Sequence, residues 1–370
     1  MDSNTFGRIF RLTTYGESHG PGLGGIVDGC PAGLALSTKD LQQELDMRRP
    51  GPAQTAGVTS RNEPDRVRIL SGVFEGLTTG APIAFHVDNV DQRPNDYSAL
   101  ARVFRPGHAD FGFQVKYGLR DYRGGGRSSG RETVSRVAGG AIAAKFLHSV
   151  GVTVRAYTLE VGGVVASLEL VDTPSSGSGG RKGVYDSAAA ASCPWFCPDG
   201  QTAARWDALT GEARQQGDSL GGLVRVEILG LPAGLGEPVF DKLDARLAYA
   251  MMGVGAVKGV EIGKGFAAAR LRGSGNNDPM LPGDEFASNN AGGVLGGLST
   301  GAPVVITVAV KPIASINREQ QSVDMGGKAA VITVGGRHDV CAIPRVVPVL
   351  KAMAALCAAD FVLLQRCAVL

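Results

Sequence analysis

One stretch, residues 105–133 (RPGHADFGFQVKYGLRDYRGGGRSSGRET), gathers side chains that hold anions and move protons. His108 follows a Pro106-Gly107 turn. Arg123, Arg127 and Arg131 recur four residues apart, and Gly124-Gly125-Gly126 runs toward a helix start. Ser129 with Glu132 three residues on has the form of a capping box. Val134, Val137, Ala138, Ala141 and Ile142 then repeat at helical spacing, which predicts a helix over about 131–149. A glycine turn feeding a helix N-terminus leaves N–H groups pointing outward, backed by the positive end of the helix dipole. Guanidinium groups suit phosphate and carboxylate. The stretch therefore predicts a site for a small, multiply anionic ligand.

Two of the five histidines lie in glycine turns: His108 and, within Gly16-Glu17-Ser18-His19-Gly20, His19. Imidazole exchanges a proton near neutral pH. Each is open to two readings, a proton carrier or a hydrogen-bonded structural histidine. Arg337-His338-Asp339 follows Gly335-Gly336 at a strand end, and Lys311-Pro312 closes the strand 304–310. A solvated surface turn explains these as well as a site does. No Ser/His/Asp triad and no metal-ligand spacing is legible, so no metal is expected.

The elements that position these residues can be read in order. Residues 9–14 and 26–27 are strand-like. Ser37 with Asp40 starts a helix carrying Leu41 and Leu45 that stops at Arg48-Arg49-Pro50. Residues 67–70 and 83–87 form an antiparallel pair. Residues 88–132 read as loop, long enough to be functional. Strand 152–165 follows the helix, residues 171–220 are an irregular insertion with a Ser/Gly run at 175–180, and 224–229 is a strand. A helix over 238–252 carries Phe240, Leu243, Leu247 and Met251 on one face, with Met251 and Met252 as core filler.

Two motifs recur. Gly29-Cys30-Pro31-Ala32-Gly33-Leu34 returns as Gly230-Leu231-Pro232-Ala233-Gly234-Leu235, and the segment 72–82 returns as 293–303. The order is kept, and the period is too long for a solenoid. This predicts one domain over 1–370 containing two copies of an α/β unit, about 8–110 and 220–330, around a pseudo-two-fold axis. Hairpin-linked strands predict an α+β class with mainly antiparallel sheets.

Bulk properties exclude other classes. Net charge is +2, against a general nucleic-acid or membrane-surface binder. The chain has 54 glycines in 370 residues, roughly twice the usual share of about 7%, and with 44% hydrophobic residues this means tight turns rather than disorder. Six scattered cysteines predict reduced, mostly buried thiols. The N-terminus lacks the apolar core of a signal peptide, and Lys351, Asp360 and Arg366 interrupt the most apolar segment; a soluble cytoplasmic protein is expected.

Taken together, Gly16-Glu17-Ser18-His19-Gly20, Arg48-Arg49-Pro50-Gly51, Arg105-Pro106-Gly107-His108-Ala109-Asp110, Lys116-Tyr117-Gly118 through Arg131-Glu132-Thr133, Lys258-Gly259-Val260-Glu261-Ile262-Gly263 and Gly336-Arg337-His338-Asp339 closely resemble the chorismate synthase family, in that family's order over nearly the whole chain. The resemblance implies a shikimate-pathway lyase that converts 5-enolpyruvylshikimate 3-phosphate to chorismate by 1,4-anti elimination with reduced FMN. It implies a β-α-β sandwich with helices between sheet layers, a homotetramer, and NADPH or an external flavin reductase as electron source. By matching position, His19 serves the departing phosphate, His108 the pyrimidine end of the flavin, and Asp339 proton movement near flavin N5. Ser18, Arg48, Arg131 and Arg337 meet the substrate. Arg127, Ser128, Ser129, Gly255, Ala256, Gly296, Lys311, Pro312, Ile313, Ala314, Ser315 and Arg337 line the FMN site. Two positions depart from the family pattern: Gln54 stands where an arginine is usual, and Gly255-Ala256 replaces a common Asn-Ala, leaving only backbone there. A flavin oxidoreductase lacks support, since no GxGxxG follows a strand with a paired acidic residue. An RNA-binding reading of Arg123-Gly124-Gly125-Gly126-Arg127 is disfavoured by the near-neutral charge.

Overall fold

Alternating β-branched residues build the strands, and the computed structural model shows which face each one buries. It describes residues 3–49, 55, 57–58, 64–90, 101–167, 171–173, 182–184, 187–336 and 338–368. The first half runs β1 (Thr5–Phe6), β2 (Arg11–Gly16), β3 (Gly22–Asp28), α1 (Thr38–Arg48), β4 (Val67–Ile69), the hairpin β5 (Val73–Phe74) and β6 (Leu77–Thr78), β7 (Ile83–Asp88), α2 (Asp110–Tyr117) and α3 (Thr133–Ser149). Its sheet has the order β1-β2-β3-β7-β4, antiparallel throughout.

The second half runs β8 (Thr153–Val161), β9 (Val164–Val165), β10 (Val171–Thr173), β11 (Lys182–Val184), α4 (Ser187–Ser192), α5 (Gly200–Gln215), β12 (Gly222–Leu229), α6 (Leu243–Met252), β13 (Val257–Ile262), α7 (Gly273–Asn276), β14 (Met280–Leu281), β15 (Glu285–Phe286), the hairpin β16 (Val294–Leu295) and β17 (Leu298–Ser299), β18 (Val304–Val310), β19 (Glu319–Val323), β20 (Ala329–Thr333) and α8 (Ile343–Gln365). Its main sheet has the order β13-β18-β12-β8-β9, again antiparallel. The class is α+β. In β18, Val304, Ile306, Val308 and Val310 all face inward, the period-2 pattern of a half-buried strand.

Helix α3 packs on β2 and β3, α8 on β8 and β12, and the two helices pack on each other. Glycine allows their close crossing: a Cβ at Gly140 would stand 2.3 Å from the Cβ of Ala352. Helix α8 is long and apolar enough to cross a membrane, yet 94% of its apolar window is buried inside the protein. Two of the charges that interrupt the segment are used internally, while Arg366 is exposed just past the helix end. Lys351 pairs with Glu44 of α1 at 2.7 Å, and Asp360 accepts the N–H groups of Arg8, Ile9 and Phe10 at 2.8, 2.7 and 3.0 Å.

The recurring motifs make matching hydrogen bonds. Thr78 Oγ1 donates to Pro31 O at 2.6 Å and accepts from Leu34 N at 2.9 Å. Ser299 Oγ donates to Pro232 O at 2.6 Å and accepts from Leu235 N at 2.8 Å. Thr79 N–H bonds Gly72 O, and Thr300 N–H bonds Gly293 O, both at 3.0 Å.

Several elements differ from expectation. The 88–132 stretch holds α2, whose only buried residue is Asp110, so it has no apolar stripe to read. The 171–220 region holds α5, whose inward face is Thr202, Ala203, Trp206, Thr210 and Ala213, a weak hydrophobic signal behind an Asp199 cap. Helix α6 starts at Leu243 rather than 238, and Phe240 is exposed; Met251 is core, whereas Met252 is exposed. Helix α3 starts at Thr133, after short 3-10 turns at Gly126–Ser128 and Gly130–Glu132. The capping box is not formed: Ser129 Oγ accepts from Arg131 N at 3.3 Å, while Glu132 turns to Arg136 at 2.8 Å. The Ser/Gly run at 175–180 lies outside the described residues. Cys30, Cys197, Cys341 and Cys357 are buried free thiols, Cys193 is half-buried and Cys367 exposed; burial pushes the first two up to about 11 and the next two to about 12, so they stay protonated.

Candidate active site

The glycine loop is the meeting point. Gly124, Gly125 and Gly126 all take positive φ, 74°, 88° and 53°, a conformation glycine adopts without strain. They turn the chain back onto the β2–β3 turn. A Cβ at Gly124 would lie 2.5 Å from Cε1 of His19, so the loop backbone lies directly on that ring. Ser18 Oγ stands 3.1 Å from His19 Nδ1 and donates to Arg123 O at 3.4 Å. Arg105 reaches the same loop, its Nη2 3.6 Å from where a Gly125 Cβ would stand.

Arg105 also builds the second histidine turn. Its Nε and Nη2 donate to both oxygens of Asp110 at 2.8 and 2.7 Å, and its N–H donates to Oδ2 at 3.1 Å. This buried bidentate pair closes the Arg-Pro-Gly-His-Ala-Asp turn. Burial alone would raise the Asp110 carboxyl, but the Arg105 bonds outweigh it and hold the group below its usual range. Within the turn, His108 Nδ1 is 2.9 Å from Pro106 O, and Nε2 is 2.9 Å from Ser315 Oγ. A carbonyl can only accept, so Nδ1 carries the proton and Nε2 accepts from the hydroxyl. Burial, then the Arg105 charge, pushes the His108 pKa down, which favours this neutral form.

The segment after β18 packs on that turn. Lys311 Nζ donates to Gly107 O at 2.9 Å, and its N–H to Ala256 O at 2.9 Å. A Cβ at Gly107 would lie 2.7 Å from that of Ala314. Ile313 O accepts from Ser219 Oγ at 2.7 Å, and Pro312 packs on Gly221. Gly255, Ala256 and Lys311 to Ser315 therefore form one group around His108. Space is open where a side chain at Gly255 would stand.

The arginines are held by protein groups. Arg127 donates to Gly16 O at 3.1 Å, Thr14 Oγ1 at 2.7 Å and Asn4 Oδ1 at 3.0 Å. Ser128 Oγ donates to Gly125 O at 2.7 Å. Arg48 lies on the same face of α1 as Leu41 and Leu45, which explains its burial. It donates to Thr133 Oγ1 and Gly130 O, each at 3.0 Å, and to Asp65 Oδ2 at 3.1 Å. Arg131 pairs with the other oxygen of Asp65 and donates to Asn89 Oδ1 at 3.0 Å. Asn89 Nδ2 in turn donates to Glu17 O and Gly20 O, each at 2.9 Å, tying Arg131 to the His19 turn. Arg123 is exposed and pairs with Asp121 at 2.9 Å.

Asp339 lies four residues before α8 and accepts from Arg345 at 3.2 Å. Its neighbour Val340 accepts from Leu220 N–H through its carbonyl, and the adjacent Ser219 bonds Ile313 O, so the backbone beside Asp339 is linked to the Lys311–Ser315 segment. Gly296 does not join within one chain. It sits in the β16–β17 hairpin, before β18, while Lys311 follows β18, and seven extended residues span about 20 Å. Arg337 and Gln54 lie outside the described residues. A cavity of about 810 Å3 is lined in part by Gly125 and Gly126 of the glycine loop; it takes in Arg127, Ser128, Phe113 and Tyr249 but not His19, His108 or Asp339. Among the described residues no cluster of metal-ligating side chains occurs.

Asp65, Asn89, Arg105 and Asp110 were not singled out from sequence as site residues. Arg105 and Asp110 had a local signal, a cation and a carboxylate bracketing a histidine turn. Asp65 and Asn89 had none, because their partners lie at distant positions in the chain.

Comparison with known proteins gives the family. The chorismate synthase family model matches residues 10–363. Chorismate synthase of Nitratidesulfovibrio vulgaris (strain DSM 19637 / Miyazaki F) is 61% identical over 368 residues, covering 99% of both chains. That of Oleidesulfovibrio alaskensis is 60% identical over 366 residues, covering 99% of this chain and 98% of the other. A crystal structure of chorismate synthase superposes with a TM-score of 0.71 at 30% identity, over 97% of this chain and 93% of that one. A match over nearly the full length at such identity leaves no room for a binding or structural module that merely borrows the fold: the chain is an enzyme belonging to the chorismate synthase family.

Proposed function

We propose that the enzyme converts 5-enolpyruvylshikimate 3-phosphate to chorismate and phosphate by 1,4-anti elimination at the glycine loop, with reduced FMN as cofactor. The observation that carries the reading is one loop flanked by two histidine turns: His19 lies under Gly124, and Arg105, which builds the His108 turn, lies beside Gly125.

The residues fit a flavin. Lys311, the Ser315 hydroxyl and neutral His108 offer a cation, a hydroxyl and an imidazole to the electron-rich pyrimidine edge of a reduced flavin. Ser128, Ser129 and Arg127 stand on the glycine loop, and the open space at Gly255 leaves room at the Ala256–Lys311 contact. Reduced FMN, when bound, supplies the electron density for C–O cleavage that side chains cannot. His19, with Ser18 at Nδ1, holds a proton where the phosphate departs, and Arg131 with Arg337 meets the negative charge. Cations and a donor placed where charge develops stabilise the transition state more than the ground state. Asp339, steadied by Arg345, serves proton movement on the flavin side.

The same reading makes residues 1–370 one domain, a β-α-β sandwich of two copies about a pseudo-two-fold axis. The matching Thr78 and Ser299 bonds and the matching orders β2-β3-β7-β4 and β8-β12-β18-β13 support it. They also extend the copies beyond 8–110 and 220–330, to include β8, α3 and α8. The assembly is a cytoplasmic homotetramer without nucleic-acid or membrane partners, and Gly296 reaches a flavin only from a second copy. NADPH or a separate flavin reductase supplies the electrons. Purified protein with chemically reduced FMN under anaerobic conditions releases phosphate from 5-enolpyruvylshikimate 3-phosphate; absence of release rejects the proposal. Steady NADPH oxidation without substrate identifies an intrinsic reductase.

A further inference from the structure

We propose that Asp65 is a positioning residue of the active site: its carboxylate, clamped between Arg48 and Arg131, fixes the Arg131 guanidinium against the Ser18-His19 turn and so sets how an anionic ligand is held. Its side chain is fully buried, as is nearly all of Arg48, whereas Arg131 keeps 11% exposure. Arg131 is thus the member of the trio that an incoming anion can meet.

The geometry assigns each group a place. Asp65 Oδ2 accepts from Arg48 at 3.1 Å, and Oδ1 accepts from Arg131. Arg48 is anchored in turn by Gly130 O and Thr133 Oγ1, at the turn that carries Arg131. Asp65 itself has a positive φ of 43°, a conformation uncommon outside glycine but tolerated by aspartate. Gln42 of α1 brackets it, donating to Asp65 O at 3.2 Å and accepting from Val67 N at 3.1 Å. The carboxylate is therefore locked from the backbone side before it locks the guanidinium. From its other edge, Arg131 Nε donates to Asn89 Oδ1, and Asn89 holds the His19 turn through Glu17 O and Gly20 O. One hydrogen-bonded path runs from α1 through Asp65, Arg131 and Asn89 to the Glu17–Gly20 turn that carries His19.

Charge matters as well as geometry. Without the carboxylate the site would carry more positive charge but a less fixed Arg131. A preorganised donor binds an anion better than a mobile one, because the ordering cost is met during folding. The inference rests on the reading that Arg131 meets a substrate anion, so its test uses inorganic phosphate, which needs no turnover.

The experiment is Asp65→Asn in the full-length protein, followed by phosphate binding by calorimetry, KM and kcat, and thermal melting. Asparagine keeps the volume and removes the charge. The expected result is phosphate affinity about tenfold weaker, with KM rising more than kcat falls. In an Arg131→Ala background, Asp65→Asn has no further effect on phosphate affinity, because the two act as a unit. A lower melting temperature with unchanged phosphate affinity and KM overturns the proposal, as does tighter phosphate binding. If Asp65→Asn does not fold, Asn89→Ala releases Arg131 from its other edge and decides the matter: weaker phosphate binding upholds the path, and unchanged binding ends it. Loss of phosphate affinity in Asp65→Asn, in a protein that shows no elimination activity, would leave the positioning role standing and remove only the assigned reaction.

Discussion

Two regions of the molecule share a framework and differ in chemistry. In the first, β2, β3, β7 and β4 lie in that order with α1 between β3 and β4 and the β5–β6 hairpin before β7. In the second, β8, β12, β18 and β13 repeat the order, with α6 and the β16–β17 hairpin in the same places. Even the hydroxyl that staples each hairpin to its Pro-Ala-Gly turn is matched, Thr78 against Ser299. The connections are not matched. Between β2 and β3 lies a short turn carrying Ser18 and His19. Between β8 and β12 lies the long insertion with α5 and the buried Trp195–Trp206 pair. After β7 the chain passes Asn89 toward the His108 turn; after β18 it gives Lys311 and Ser315. The framework is held by backbone bonds that many sequences can make, and the chemistry is placed in the turns, where the two regions are free to diverge.

The largest expected effect comes from the turns. His19→Ala and His108→Ala are each expected to lower the elimination rate by about 10²–10⁴-fold, the usual contribution of a positioned acid or base. Both variants should keep the wild-type circular dichroism spectrum and cooperative melting. A histidine variant that unfolds instead belongs to the framework, and the contrast between the two regions fails at that turn.

Next in size is the stitch that joins the regions. Asp360 of α8 accepts three successive N–H groups from 8–10, at the entry to β2. Asp360→Ala leaves those donors without their acceptor, and the expected cost is roughly 3–5 kcal/mol. Denaturant unfolding measures it. A cost under about 1 kcal/mol would mean water replaces the carboxylate and the N-terminal segment is not held by α8.

How much of this was legible depended on where each residue's partners lie. The α1 cap was readable because Ser37 and Asp40 are neighbours, and Ser37 N does donate to Asp40 at 2.8 Å. The β4–β7 pair was readable from two short apolar runs separated by glycine turns, and the two strands do pair antiparallel. The duplicated motifs were readable because glycine and proline punctuate them in fixed order. Helix α2 was not, because its buried residue is an aspartate paired with Arg105 rather than a leucine. The Ser129-Glu132 box failed because Glu132 has a better partner one turn on, Arg136. In the site, His19, His108 and Lys311 stood out by type and turn. Asp65 and Asn89 did not, since their roles come from Arg48 and Arg131, residues 17 and 42 positions away respectively.

The comparison sharpens with a matched pair. Thr78→Val and Ser299→Ala each remove, from a residue that is 3% or 4% exposed, a hydroxyl that makes one donated and one accepted bond. Each should cost roughly 1–3 kcal/mol, and the two costs should agree within about 0.5 kcal/mol, with the double variant additive because the two hydroxyls share no hydrogen-bond partner. The exchanges Thr78→Ser and Ser299→Thr keep both bonds and should cost less. Unequal costs, measured by urea unfolding, would show that one hairpin is supported by contacts the other lacks.

The smallest effect is a pH slope, and it belongs to the turns alone. Burial and Arg105 hold the His108 pKa below the ordinary histidine value of 6.5 in the folded protein. Below that value the unfolded chain takes up a proton at residue 108 before the folded chain does. Stability therefore rises with pH across the window beneath 6.5 and falls as pH drops through it. His108→Gln keeps a hydrogen-bonding side chain and cannot titrate, so the variant should lose less stability than the parent between neutral and mildly acidic pH. Contributions from the rest of the molecule are common to both proteins and cancel in the difference. Parallel stability curves for the two proteins would mean that His108 protonates as readily in the fold as out of it, and that the neutral imidazole with Nδ1–H on Pro106 and Nε2 on Ser315 is not the form the fold selects.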